Sequence, residues 1–321
     1  INLKVIKRRK LYLGISAAMV LISLISLFTI KLNLGVDFKG GELIQLKYSK
    51  KIDQNAVNST LNSLIGKIPQ MKAKRVQFSD TDNTVIIRTE QMSGIQKAKV
   101  MSELKQNTGK FEVVKNETVG AVIGKELTAN AFQALLIGSI LIIIYITVRF
   151  EFIYAIAGIV ALIHDVIIAF GVITILRYEI DTPFIAAILT ILGYSINDTI
   201  VVFDRIRENI KKNRSGRNKV SMSFGEIIEK SINQVFTRSI YTSLTTLFSV
   251  IVLLILGGDT LKTFSMTLFV GMLVGTYSSV FVASPLVYIM KKGKDEPKAK
   301  DTTNHSGKTV NGYDEKDKVL V

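Results

Sequence analysis

Residues 152–176 read FIYAIAGIVALIHDVIIAFGVITIL, and apart from His164 and Asp165 nothing in the run carries a charge at neutral pH. Crossing a hydrocarbon core of about 30 Å takes roughly 20 apolar residues in a helix, so this run is long enough to span a membrane. Five further runs qualify, at 11–30, 128–148, 183–203, 239–256 and 264–290. The chain is therefore expected to be an α-helical polytopic membrane protein with six transmembrane helices. Composition agrees: 48% of the 321 residues are hydrophobic, and the mean hydropathy is +0.34, high for a soluble chain whose surface must be polar.

The formal net charge of +15 would raise nucleic acid as a partner in a soluble protein, but here its location gives it another use. Lys7, Arg8, Arg9 and Lys10 precede the first span. Arg205, Arg207, Lys211, Lys212, Arg214, Arg217 and Lys219 follow the fourth, and Lys291, Lys292 and Lys294 follow the sixth. Basic residues stay in the cytoplasm. Alternation of the spans then places all three clusters, with both termini, on the cytoplasmic side of a lipid bilayer, and the short connections 177–182 and 257–262 outside. No nucleic-acid partner is expected. The first run is too long for a signal-peptide core and no A-x-A-like site follows it, so it reads as a retained anchor. The chain has no cysteine and only two histidines, which excludes disulfides and thiolate metal sites and speaks against a histidine-rich one.

The expected organisation is a cytoplasmic N-terminus at 1–10, the first helix at 11–30, an extracytoplasmic domain at 31–127, and helices two to six within 128–290. A cytoplasmic loop at 204–238 interrupts the helices, and a disordered cytoplasmic tail closes the chain at 291–321, where lysine, aspartate, asparagine, threonine and glycine carry no periodicity. Segment 31–127 reads as strand 37–48, helix 55–68, strand 74–78, strand 84–89, helix 95–107 and strand 111–116. A turn is expected at Asp80-Thr81-Asp82-Asn83. The β-α-β-β-α-β order is the ferredoxin-like, α+β plan.

Ionisable groups inside a span cost about 2.5–3.5 kcal/mol each even on lenient scales and are kept for ion paths, binding or helix pairing. His164 and Asp165 lie near the middle of span three, and Asn197 and Asp198 near the cytoplasmic end of span four. Tyr194 and Arg205 share a helical face with Asp198, and Arg238 starts span five. Spans four and five are antiparallel neighbours, which puts Asp198 and Arg238 at comparable depth. Their attraction can be broken by a proton or by a change of partner. On the residues alone two readings stay open: these groups couple proton movement, or they specify helix packing. Gly271 and Gly275 form a G-x-x-x-G that reads as close helix contact, and the basic loop reads as a topology determinant, with anionic lipid or a cytoplasmic partner as the alternative. No phosphate loop, nucleophile triad or metal constellation appears, so neither an enzyme nor a cofactor is expected.

Five motifs occur in order. Val36-Asp37-Phe38-Lys39-Gly40-Gly41 follows span one, and Val119-Gly120-Ala121-Val122-Ile123-Gly124-Lys125-Glu126-Leu127 precedes span two. His164-Asp165 sits in span three, and Gly193-Tyr194-Ser195-Ile196-Asn197-Asp198 continues through Asp204-Arg205-Ile206-Arg207-Glu208-Asn209. Thr237-Arg238-Ser239 leads into Thr242-Ser243-Leu244-Thr245-Thr246. Together they resemble the SecF family of protein-export membrane proteins, related to the resistance–nodulation–division transporters, from the first span through the sixth. The resemblance implies one half of a SecD–SecF pair in the bacterial cytoplasmic membrane, associated with the SecY–SecE–SecG channel. Such a pair uses the proton-motive force to help draw a translocating preprotein across after the ATP-driven stage. It also implies that Asp198 and Arg238 are linked to proton movement, and that a further important aspartate belongs to SecD. Ala121 departs from the pattern, standing where proline is common, and the loop between Asp198 and Arg238 is a few residues longer than in some relatives. Gly120 and Gly124 are expected to permit close packing or a bend where the outer domain meets span two. Two rival classes stand beside this reading: half of a transporter for lipids or small molecules, and a non-transporting assembly subunit.

Overall fold

The computed structural model describes residues 3–79, 83–214 and 222–291. The expected tail lies outside these apart from Lys291, as does the expected 80–83 turn apart from Asn83, which takes a φ of 48°. Among the described residues six helices, one of them interrupted by a π turn, are long and apolar enough to cross a membrane: α1 (Arg9–Thr29), α5 (Ala121–Arg149), α6 (Phe152–Ile175), α7 (Thr182–Arg214), α8 (Phe224–Leu256) and the run from α9 (Asp259–Ser278) through a π turn at Ser279–Ala283 to α10 (Ser284–Lys291). The π turn stands just before Pro285, which has no N–H to continue the ladder. The Ser284 hydroxyl donates instead to the Ser279 carbonyl, at 3.2 Å.

Between α1 and α5 lie α2 (Val36–Lys39), β1 (Gly41–Tyr48), α3 (Gln54–Ser63), β2 (Arg75–Ser79), β3 (Thr84–Thr89), α4 (Gly94–Thr108) and β4 (Phe111–Val119). The sheet order is β2-β3-β1-β4, every neighbour antiparallel, which is the expected ferredoxin-like arrangement. Ile44, Leu46, Val57, Leu61, Val85, Ile87, Val100 and Leu104 close its core. Helix starts are capped in the ordinary way: Asp53 accepts from Asn55 and Ala56, and Ser93 and Gln96 form a capping box.

Several boundaries differ from the expected ones. The first strand begins at Gly41 rather than 37, because Val36–Lys39 coil into a single helical turn that ends at Gly40 with φ 73°. Gly41 follows with φ 126°, and a Cβ there would stand 2.5 Å from the Thr89 carbonyl oxygen of the paired strand, so both glycines of the motif are required by the backbone. Helix α5 starts at Ala121, a turn and more before the apolar run. The segment 204–238, expected as a loop, is mostly helix: α7 continues to Arg214 and α8 begins at Phe224. Hydropathy ends at a membrane surface, but helix-forming residues and an apolar stripe do not. Arg205–Glu208 and Lys212–Glu208 pair at i,i+3 and i,i+4 spacing, Ser223 and Glu226 form a capping box, and Ile206, Ile227, Ile228 and Ile232 stay buried between the extensions.

Helix α6 is the centre of the bundle, packed on α1, α7 and α9. Small residues let it approach. A Cβ on Gly171 would fall 2.2 Å from the Ser23 Cβ and 2.6 Å from its Cα. The described residues of the three basic clusters share the end of the bundle away from the sheet. There the Leu3 amide donates to Asn233 Oδ1 at 2.7 Å and the Lys7 amide to Glu229 Oε1 at 3.0 Å, while Lys291 pairs with Glu151 at 3.0 Å.

At the other end the sheet domain is docked on the turn between α6 and α7. Leu34 and Ile180 form a parallel bridge, with Gly35 N to Ile180 O and Ile180 N to Asn33 O both 2.8 Å. Arg88 of β3 pairs with Glu179. A Cβ on Gly124 would stand 2.9 Å from the Gly40 amide, so close packing applies at Gly124, whereas Gly120 is the extended N-cap of α5. Burial pushes the Asp181 carboxyl up to about 6, with the charges of Asp37 and Glu179 acting the same way. Its proton is held more tightly folded than unfolded, so this group adds stability at low pH that is lost as pH rises through about 6.

Two outcomes follow for the purified protein in detergent. Gly171→Ala lowers stability by about 1–3 kcal/mol, the cost of overpacking a close helix contact, read by thermal unfolding. Between about pH 7 and about pH 5 the unfolding temperature rises more for the native chain than for Asp181→Asn; parallel curves would contradict the buried, protonatable Asp181.

Candidate functional site

The bundle encloses a polar cluster built from α6, α7 and α9. Asp165 is fully buried and His164 nearly so. His164 Nδ1 lies 2.8 Å from Asp165 Oδ1. The other carboxylate oxygen, Oδ2, accepts from Ser195 Oγ at 2.5 Å and Ser278 Oγ at 2.8 Å. One turn along α7, Thr199 and Ser279 hydroxyls meet at 2.8 Å, and Thr199 also donates to the Ser195 carbonyl at 3.1 Å. The G-x-x-x-G of α9 makes this proximity possible: a Cβ on Gly275 would lie 3.0 Å from that of Ser195, and one on Gly271 only 2.2 Å from Ile191 Cδ1.

Asp198 occupies a second polar site, between α7 and α8. It is 6% exposed, and its Oδ1 accepts from Ser239 Oγ at 3.1 Å. Its Oδ2 is buried with no hydrogen-bond partner among the described residues, as are His164 Nε2 and the Tyr194 hydroxyl. Among the described residues this is the one buried carboxylate of the bundle left half satisfied, whereas Asp165 has both oxygens occupied.

The expected Asp198–Arg238 pair is not formed. Arg238 lies in the interior of α8 rather than at its start, because the helix begins at Phe224. The neighbouring Ser239 takes the place facing Asp198, and Arg238 is exposed on the bundle surface. Asn197 and Gly193 are likewise exposed. In antiparallel α7 and α8, the residues preceding two facing positions fall on the same side of the seam. Asn197 and Arg238 therefore flank Asp198 on one outer face.

Arg205 does not turn back toward Asp198. It pairs with Glu208 at 2.5 Å and donates to Gln234 Oε1 at 2.7 Å. Asp204 accepts from Arg149 at the end of α5, at 3.0 Å, so Asp204 ties α7 to α5 and Arg205 ties it to α8. Asp37, Gly40 and Gly41 belong to the docking turn at the opposite end. The serines and threonines at 195, 199, 239, 278 and 279 were not singled out by sequence reading; their signal is hydroxyls at helical spacing on the buried faces of otherwise apolar spans.

Asp165→Ala removes the acceptor of two buried hydroxyls and a histidine and lowers stability by about 2 kcal/mol or more. Asp198→Ala strands Ser239 alone and costs less than half of that, measured by thermal unfolding of the two variants side by side. Equal losses would show that the two carboxylates carry the same structural load.

Comparison with known proteins agrees with the fold. The family model described as "Protein export membrane protein SecD/SecF, C-terminal" matches residues 99–293, and that of the "SecD/SecF GG Motif" matches residues 25–52. Protein translocase subunit SecF of Sebaldella termitidis is 50% identical over 92% of this chain and 94% of its own length. Protein translocase subunit SecF of Calditerrivibrio nitroreducens is 42% identical over 90% of this chain and 94% of its own. The crystal structure of SecDF, a translocon-associated membrane protein from Thermus thermophilus, superposes with a TM-score of 0.81 at 34% identity. It is matched over 91% of this chain but only 39% of the longer SecDF chain. With six apolar helices around buried carboxylates and both family models matched in their proper places, the chain is a multi-pass membrane protein that belongs to the SecF family of protein translocation subunits.

Proposed function

We propose that this SecF-type subunit couples the proton-motive force to polypeptide export, with Asp198 as the group that takes and gives up the proton. The observation that carries the reading is the half-satisfied carboxylate: Asp198 has one hydroxyl partner, one buried unpartnered oxygen, and an arginine and an asparagine flanking it on an outer face. The unpartnered oxygen can be satisfied by a proton on it or by a cationic group brought against it. Arg238 is the nearest candidate in this chain, reached by a rotation of α8 that moves it from the surface toward the seam. A partner half seated on that face, as the single-chain SecDF of Bacillus subtilis suggests by carrying more than twice this length, supplies the other half of the site.

In this reading the partner is SecD, the pair works beside the SecY–SecE–SecG channel in the bacterial cytoplasmic membrane, and the preprotein is its substrate. The basic end of the bundle faces the cytoplasm and the sheet domain faces outward. Moving one charge through 100 mV releases about 2.3 kcal/mol, enough to shift a two-state equilibrium by about fiftyfold. The outer domain then alternates between holding and releasing an emerging chain. Most of its large apolar side chains pack into its own core, with Ile95, Val113 and Val114 exposed, which favours a surface for polypeptide over a deep lipid or drug pocket.

The test is export of a secreted reporter into membrane vesicles containing SecD and the channel, with a proton gradient, with a sodium gradient of equal size, and with neither. The native chain is expected to respond to the proton gradient, and Asp198→Asn, still bound to SecD, to lose that increment while keeping ATP-driven export. Equal responses in both would make Asp198 a packing residue, and a response to sodium alone would change the ion.

A further inference from the structure

Helix α7 carries Asp198 at its middle and meets the outer domain at its first turn. The first turn of a helix exposes amide donors that need acceptors, and here each is accounted for. Thr182 N donates to Asp37 Oδ2 at 2.9 Å, Pro183 has no N–H, and Phe184 N donates to Asp181 Oδ1 at 2.9 Å. One of the two carboxylates at this N-terminus thus comes from the neighbouring loop and one from a residue far away in the outer domain, and both favour the positive end of the helix dipole.

Asp37 is well placed to transmit force. It sits in the single turn of α2, which leads through Gly40 and Gly41 directly into β1, the strand paired on both sides by β3 and β4. The same contact is reinforced by the Leu34–Ile180 bridge, by Arg88–Glu179 from β3, and by Arg75 of β2, which donates to Asn33 Oδ1 at 2.9 Å. Phe38 packs into the apolar cluster that holds Ile180 and Phe184. Strands β1, β2 and β3 therefore each reach this turn, directly or through one residue.

We propose that Asp37 is a positioning residue that clasps the start of α7, so that movement of the helix carrying Asp198 is passed straight to the central strand of the outer domain. This linkage rests on the proton-coupled reading above and supplies a route that does not run through the chain connections at α1 and α5. Asp181 completes the clasp from the membrane side. The charged groups facing it are Asp37 from α2 and Glu179 from its own turn, the latter paired with Arg88. A proton arriving from the outer face therefore relieves repulsion between two carboxylates on one helix end.

The geometry offers a direct test. A Cβ on Gly35 would stand 3.5 Å from the Asp181 Cβ, within the range of about 3.5–4.5 Å that a disulfide needs, and the chain contains no other cysteine. In the vesicle assay, Asp37→Ala loses the proton-gradient increment but keeps ATP-driven export. Asp37→Asn, whose amide oxygen still accepts from Thr182, retains most of the increment. The double variant Gly35→Cys/Asp181→Cys is deficient when reduced and recovers on oxidation, because a covalent bond replaces the clasp. A normal gradient response in Asp37→Ala, with Asp198→Asn inactive, would overturn the linkage and leave the proton reading standing. So would an oxidised double variant as deficient as the reduced one. A full response in Asp198→Asn would overturn the underlying reading and the linkage with it.

Discussion

A carboxylate inside a helix bundle must find its hydrogen-bond partners within the protein, because lipid offers none. Asp165 meets that constraint with His164, Ser195 and Ser278, drawn from three helices. The packing follows from it. Ser195 of α7 and Ser278 of α9 can converge on one Asp165 oxygen only if those two helices approach closely, and Gly271 and Gly275 allow that approach. Helix α6 reaches α1 through Gly171. The centre of the membrane domain is a satisfied polar knot wrapped in glycine contacts, with the less satisfied Asp198 beside it.

The proposed function rests on the contrast between the two aspartates. A fully bonded buried group specifies structure, and a partly bonded one carries a demand that some other state must meet. Asp198 faces α8 through a single serine, with Asn197 and Arg238 outside on one face. Helices α1, α5 and α8 present broad apolar surfaces, including Ile137, Leu141, Tyr241, Phe248 and Ile255. Such surfaces suit lipid or a partner bundle equally, but the arginine, asparagine and glycine beside Asp198 suit a partner.

Much of the fold was legible in the sequence because its signals are local and long. Six apolar runs and the alternation of basic clusters need no tertiary knowledge, and the βαββαβ order follows from period and turn residues. What escaped was set by partners distant along the chain. The expected Asp198–Arg238 pair assumed that α8 begins where hydropathy rises, whereas Ser223 caps it well upstream and turns Ser239 inward. Asp37 looked like part of a glycine turn, because the helix end it caps lies 145 residues away. Ser195 and Ser278 looked like spacers, since a hydroxyl in an apolar run becomes informative only when its acceptor is known.

The most direct measurement of the central claim is proton flux itself, followed with a pH-sensitive dye inside vesicles that hold the SecD–SecF pair, the channel and an arrested preprotein under an imposed gradient. The account predicts a flux that requires the pair and vanishes in Asp198→Asn while the complex stays assembled. An undiminished flux through Asp198→Asn would contradict it.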